Sequence, residues 1–197
     1  MLLLDEPLSA LDAGTRMTVR ADLRRYLTDF DGVAIVVTHD PIDATALADQ
    51  LVVLEEGKVV QSGTGWEVAS APRTQYVADL VGVILLHGTA DGTRVQIDGG
   101  GTVQTATEQT GQVIVAIRPS SVALYRSAPD GSPRNVWQAR IDHIDQHGRT
   151  ARVSLVCEGG PRLLSEVTVQ AVVQMKLRTD DTVFAVVKAN ETGVYRA

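Results

Sequence analysis

The chain has 197 residues, 44% of them apolar, with a net charge of −6 and no run of like charges. That length holds one large domain or two small ones, and the acidic balance excludes the basic footprint of a nucleic-acid binder. The longest apolar runs, Val33-Ala34-Ile35-Val36-Val37 and Val83-Ile84-Leu85-Leu86, are too short to cross a bilayer. A lone Cys157 forms neither an internal disulfide nor a zinc site, so a cytoplasmic protein is expected.

The first element is Leu2-Leu3-Leu4, an unbroken apolar run that predicts a strand buried on both faces. Pro7 stops it, because proline cannot donate to a strand ladder. Asp5 and Glu6 then emerge at the C-terminal edge of a sheet, where open α/β sheets hold their ligands. Adjacent carboxylates there suit a magnesium–phosphate site: one holds Mg²⁺ while the other orients and polarises an attacking water. For LLLDE alone, a buried strand ending in a solvated acidic turn is the better explanation of the residues.

Ala13 to Phe30 reads as a helix whose apolar stripe is Val19, Leu23, Leu27 and Phe30, with Arg16, Arg20 and Arg24 off the stripe. Asp31-Gly32 ends it, and Val33 to Val37 predict a second buried strand. The resulting βαβ unit brings the tips of both strands to one sheet edge, so Asp5, Glu6 and His39 are expected to converge. Thr38-His39-Asp40-Pro41 opens a further helix, with Asp40 as N-cap, Pro41 at N1 and Asp43 at N3. Gln50 to Leu54 and Lys58 to Gln61 predict a hairpin around Glu55-Glu56-Gly57. Thr64-Gly65-Trp66-Glu67 is a capping-box pattern, with Trp66 expected to pack. One more helical stretch, Arg73 to Leu80, leads into a linker.

From Gly82 helical periodicity gives way to short β-branched runs separated by turns. Arg94–Ile97, Val113–Ile117, Val122–Tyr125, Trp137–Ile144, Ala151–Val156, Leu163–Val169 and Thr182–Val187 predict a small barrel. Asp98-Gly99-Gly100-Gly101 lacks a following helix, so it reads as a turn and not as a phosphate loop. Ser132-Pro133-Arg134-Asn135 suits an ordinary polar turn leading into a strand. His143 and His147 do not converge on a metal from a strand and turn.

The string Leu2-Leu3-Leu4-Asp5-Glu6-Pro7-Leu8-Ser9-Ala10-Leu11-Asp12, followed by Thr38-His39-Asp40, resembles the Walker B strand, D-loop and switch histidine of an ABC transporter ATPase. The second half resembles the TOBE domain attached to such ATPases. There Val115-Ala116-Ile117-Arg118-Pro119 and Val122 match its IRPE-x-V segment, with Ser120 in place of the acid. Gly131-Ser132-Pro133-Arg134-Asn135-Val136 and Val186-Val187-Lys188-Ala189 are similar to the S-A-R-N and I-K-A segments of molybdate-binding Mop-type modules, with Pro133 replacing alanine.

These resemblances imply a fold of two parts. Residues 1–82 form an α/β part, a truncated P-loop NTPase of the ABC ATPase kind, and residues 83–197 form a small all-β, OB-like TOBE barrel. They imply that Glu6 and His39 are catalytic, as base and γ-phosphate sensor, and that Asp5 binds Mg²⁺. Asp12 is implied at the nucleotide as a contact across the dimer, and Ser132, Arg134, Asn135 and Lys188 as the oxyanion site. ATP and Mg²⁺ are the implied cofactors of the complete subunit. The implied partners are a second ATPase copy, a membrane permease and molybdate, with the protein peripheral on the inner face of the membrane. No G-x-x-x-x-G-K with Ser or Thr, no LSGGQ-like signature and no Q-loop is present. In the family all three precede the Walker B strand. The chain therefore reads as the C-terminal portion of such a subunit, unable to hydrolyse ATP alone and with an uncovered sheet in residues 1–80. The alternatives are an ATPase for sulfate, sugar or polyamine import, and a non-enzymatic oxyanion-binding module with a relic ATPase segment.

Overall fold

The structure is a computed structural model that describes residues 1–197. The chain divides into two compact units, Met1–Pro72 and Arg73–Ala197.

In the first unit β1 (Leu2–Asp5), α1 (Ala13–Asp29), β2 (Ala34–Val37) and α2 (Pro41–Leu47) form the βαβ unit and its following helix. β1 and β2 pair in parallel, Leu2 opposite Ala34 and Asp5 opposite Val37, so both tips lie on one edge. The expectation of strands buried on both faces is corrected: burial alternates in each, and Leu3 is 62% exposed. Leu3, Ile35 and Val37 form an uncovered apolar face, while the other face is half-buried. The predicted stripe of α1 is likewise not a core face, since no residue of that helix is buried. A two-stranded sheet with two helices has too little surface to enclose either stripe.

A hairpin of β3 (Leu51–Glu55) and β4 (Lys58–Gly63) follows. It turns on Glu56 and Gly57, both at positive φ (51° and 76°), as a type I′ turn requires. The capping box at α3 (Gly65–Ser70) forms as expected, Thr64 accepting from the Glu67 N–H and Glu67 from the Thr64 N–H. Trp66 does not pack: it is 78% exposed.

The second unit begins with α4 (Gln75–Val81), ahead of the boundary expected at residue 82. The helix sides with this unit because Ala78 is buried against Leu85 and Ile114. A long hairpin follows, β5 (Ile84–Ile97) and β6 (Thr102–Ile117), then β7 (Ala123–Tyr125), β8 (Asn135–His147), β9 (Thr150–Cys157), β10 (Arg162–Thr168), α5 (Val169–Gln174), β11 (Thr182–Val187) and β12 (Thr192–Arg196). Two antiparallel sheets result, β10-β9-β8-β11-β7 and β12-β6-β5. Their inner faces share one core in which Val95, Val103, Val115, Ile117, Ile141, Val153 and Val183 are completely or almost completely buried. This is the β-rich body expected of the second half. The predicted strand over Leu163–Val169 gives way at its last residue to α5, whose first turn Thr168 caps.

β5 bends sharply enough for the Asp98 N–H to donate to the His87 carbonyl at 3.0 Å. The bend brings the Gln96 carbonyl within 2.2 Å of where a side chain at Gly88 would start, so only glycine fits there. No helix is long and apolar enough to cross a membrane.

Candidate functional site

The parallel register of β1 and β2 sets the geometry at their tips. The chain leaves β1 through Glu6, whose N–H donates to the Val37 carbonyl at 2.9 Å. Its backbone is left-handed, at φ 48°, a conformation a non-glycine residue adopts at a cost. Ser9 Oγ donates to the Glu6 carbonyl at 2.9 Å and steadies that turn. From the β2 tip, His39 meets the same carboxylate twice. Glu6 Oε1 accepts from the His39 backbone N–H at 3.1 Å and lies 2.7 Å from the ring Nδ1.

A carboxylate can only accept, so Nδ1 carries the proton and Nε2 is left for another partner. The hydrogen bond from the ring to Glu6 is the main cause, and the negative charge of Glu6 the next, that raise the His39 pKa above its ordinary 6.5. The imidazole is 79% exposed and the Glu6 side chain 34% exposed, so the pair faces solvent and is open to a ligand. Asp5, opposite Val37 at the same edge, is exposed. No group of three or more His, Cys, Asp or Glu side chains converges to hold a metal. A magnesium ion of the kind carried on substrate phosphates needs only one or two protein carboxylates, and Asp5 fits that demand.

Asp12 lies on the loop that follows. Its carboxylate caps α1, accepting from the Gly14 and Thr15 N–H groups, each at 3.1 Å. A hydrogen bond with the Thr15 side chain, helped by the backbone N–H groups, lowers its pKa. Asp40 caps α2 as expected, accepting from Ile42 at 2.8 Å and Asp43 at 3.3 Å. Burial raises the pKa of Asp40, but those N–H groups and the guanidiniums of Arg20 and Arg16 outweigh it and hold the carboxyl low.

Sequence reasoning missed the arginines that tie these loops together. Arg16 donates to Asp40 at 3.3 Å and to the Leu11 carbonyl at 3.2 Å. Arg20 donates to the buried Asp43 at 2.5 Å, and Arg24 to the Leu47 carbonyl at 2.7 Å and Asp49 at 2.9 Å. The signal was present: cations at i, i+4 and i+8 share one helix face, and three acids follow in the next segment.

In the second unit the four expected oxyanion residues divide. Ser132, Arg134 and Lys188 are exposed. Val187 pairs with Asn135 at the end of the antiparallel ladder between β11 and β8, so Lys188 and Arg134 flank the same corner. Asn135 itself is buried, and both ends of its amide are engaged with the backbone of Gln104. The amide expected to meet an oxyanion is thus committed to holding the corner. Cys157 is a packed core residue: burial pushes its thiol up to about 12, which leaves it un-ionised and unreactive.

Residues 131–193 match the TOBE domain. Over its whole length the chain is 33% identical to the molybdenum import ATP-binding protein ModC of Mycobacterium tuberculosis, of which it covers 55%. Over 99% of its length it is 30% identical to the molybdate/tungstate import ATP-binding protein WtpC of Pyrococcus horikoshii, covering 56% of that protein. A further relative, the Fe(3+) ions import ATP-binding protein FbpC 2 of Rhizobium meliloti, is 31% identical over 86% of this chain and 45% of its own length. Similarity to import ATP-binding proteins therefore runs through both units, and the chain spans a little over half the length of the first two relatives. Among solved structures, the cytoplasmic molybdate-binding protein ModG superposes with a TM-score of 0.52 over 58% of this chain and 96% of its own, at 21% identity. That likeness is one of fold, and it bears out a β-rich, ModG-like architecture.

Proposed function

We propose that this chain is the C-terminal portion of the ATP-binding subunit of an ABC importer, coupling ATP hydrolysis to uptake of an oxyanion, with molybdate the first choice. The observation that carries this reading is the meeting of Glu6 and His39 at neighbouring strand tips, 2.7 Å apart. Similarity to import ATP-binding proteins through both units supports it.

In the complete subunit Glu6 is the catalytic base. Its Oε1 is taken by His39, which leaves Oε2 to accept the proton of an attacking water. His39, held through Nδ1, presents Nε2 to the terminal phosphate, and its raised pKa favours the imidazolium, which donates there to an anionic oxygen. Asp5 holds Mg²⁺, which when bound neutralises phosphate charge. Asp12, anchored as the cap of α1, belongs to the contact across an ATPase dimer at the nucleotide. The subunit works from the cytoplasm, peripheral to a membrane permease.

In the second unit Ser132, Arg134 and Lys188 offer a hydroxyl and two cationic groups to the oxyanion, and Asn135 shapes the corner that presents them. A non-oxyanion cargo is the second reading, favoured by the similarity to an Fe(3+) importer subunit. Two measurements on the purified chain test the proposal. Calorimetry is expected to detect molybdate binding that Ser132→Ala with Lys188→Ala abolishes; tight sulfate binding with molybdate ignored contradicts the molybdate choice. Phosphate release from ATP by the chain alone is expected to be absent. Turnover that disappears on Glu6→Gln contradicts the view that a further segment is needed.

A further inference from the structure

The arginine face of α1 has a role beyond joining two helices. Arg16 touches both loops of the strand-tip site at once: its guanidinium donates to the Leu11 carbonyl, on the loop leaving Glu6, and to Asp40, the residue after His39. One turn on, Arg20 holds the buried Asp43, in the first turn of the helix that starts behind His39. The third rung differs. Arg24 meets the far end of α2, at Leu47 and Asp49, roughly 10 Å along the helix from its cap.

The His39 ring is held directly by Glu6, and its backbone is tied to the β1 tip through the Glu6 carboxylate and, two residues earlier, the Glu6 N–H on Val37. It is largely exposed, and among charged groups it is faced by Glu6 from the turn after β1, Asp40 from the α2 cap and Arg16 from α1. Its hydrogen bond to Glu6 joins two loops that are 33 residues apart in sequence. An error of about 1 Å in either loop would open that bond.

We infer that Arg16 and Arg20 are positioning residues which, through Asp40 and Asp43, hold His39 in hydrogen-bonding reach of Glu6. Arg24 serves only the packing of α1 on α2. This assignment rests on the reading of Glu6 and His39 as a working pair.

The test is the protonation pattern of the His39 ring in the full 197-residue chain, read from long-range ¹H–¹⁵N correlation spectra at about pH 9, where ordinary histidine is neutral. The wild-type ring is expected to carry its proton on Nδ1, the nitrogen bound to Glu6, because the hydrogen bond selects the tautomer. Arg20→Ala and Arg16→Ala are each expected to lose that signature, shifting the ring to its solvent tautomer mixture. The charge-exchanged pair Arg20→Asp with Asp43→Arg is expected to restore it. Arg24→Ala is expected to lower the melting temperature and keep the wild-type tautomer.

If Arg20→Ala unfolds the first unit, Arg16→Ala carries the same expectation from a more exposed position. Folded Arg16 and Arg20 variants with the wild-type tautomer would overturn the assignment, as would loss of the tautomer in Arg24→Ala to the same extent. Glu6→Ala separates this from the parent reading. If the tautomer survives Glu6→Ala, the pair itself is absent and the functional proposal fails. If Glu6→Ala removes it while Arg16→Ala and Arg20→Ala do not, the pair stands and only the positioning role fails.

Discussion

Asn135 and Gln104 join the two sheets of the second unit through a paired hydrogen bond. The Gln104 N–H donates to Asn135 Oδ1 at 2.7 Å, and Asn135 Nδ2 donates to the Gln104 carbonyl at 2.9 Å. An amide side chain thereby takes the place of a strand backbone at the seam between β8 and β6, where the ladder does not continue. Asn135→Ala leaves both backbone groups without these partners in a part-buried site. Unsatisfied buried groups cost roughly 1–3 kcal/mol each, so a loss of about 2 kcal/mol is expected by chemical denaturation. Asn135→Ala is expected to reduce oxyanion binding only by loosening the corner, whereas Lys188→Ala is expected to remove binding with stability unchanged.

The Glu6–His39 pair makes stability depend on pH in a definite direction. Folding raises the His39 pKa above 6.5, so the folded state binds the proton more tightly. The contribution is full below about pH 6.5 and is lost as pH rises through the folded value. The difference in melting temperature between wild type and Glu6→Gln is therefore expected to be larger at about pH 6 than at about pH 8.5. An equal difference at both values would show that the ring does not gain a proton partner on folding.

Two acids on neighbouring rungs of the arginine ladder are expected to differ sharply. Asp43 is buried against Arg20, whereas the Asp49 side chain is 87% exposed beside Arg24. Breaking a fully buried pair costs roughly 3–5 kcal/mol because the remaining charge is stranded. Arg20 keeps some solvent contact, so Asp43→Ala is expected to cost about 2–3 kcal/mol. Asp49→Ala is expected to cost no more than about 0.5 kcal/mol, as for an exposed pair. Urea titration of both variants measures the contrast.

At the bend of β5, Gly88→Ala places a Cβ 2.2 Å from the Gln96 carbonyl oxygen and 3.0 Å from Val95 Cγ1. Backbone on one side and a buried valine on the other leave no flexible end to move aside. The hairpin must open, and a loss of at least about 2 kcal/mol is expected. Gly99→Ala in the adjoining turn, where a Cβ meets nothing within 4 Å, is the control and is expected to be close to neutral.

What the sequence made legible follows from how local each signal is. The caps at Asp40 and Thr64 and the hairpin turn at Glu56-Gly57 depend on a few consecutive residues, and all appear as read. Glu6 meets His39 as read, because a βαβ unit fixes where its strand tips lie, whereas Asp5, expected with them, shares the edge without joining the pair. The full length of β5 and β6 was not readable: polar residues from Thr105 to Gln112 interrupt the β-branched runs, and the pairing partner holds them in the ladder. Leu2–Leu4 were read as fully buried because they are uniformly apolar, yet apolar character cannot say whether a covering layer is present. In this chain Leu3, Ile35 and Val37 have none. The commitment of Asn135 to Gln104 joins positions 31 residues apart and leaves no local mark.

Glu6, with His39 beside it, is proposed as the base of an ATP-hydrolysing site. The most direct measurement joins to this chain the part of Mycobacterium tuberculosis ModC that lies outside the matched 55%, and follows Mg²⁺-dependent phosphate release by the folded chimera. Steady turnover is expected, falling by about 100-fold or more on Glu6→Gln with ATP still bound. A folded, ATP-binding chimera that turns over equally well with Glu6→Gln would contradict it.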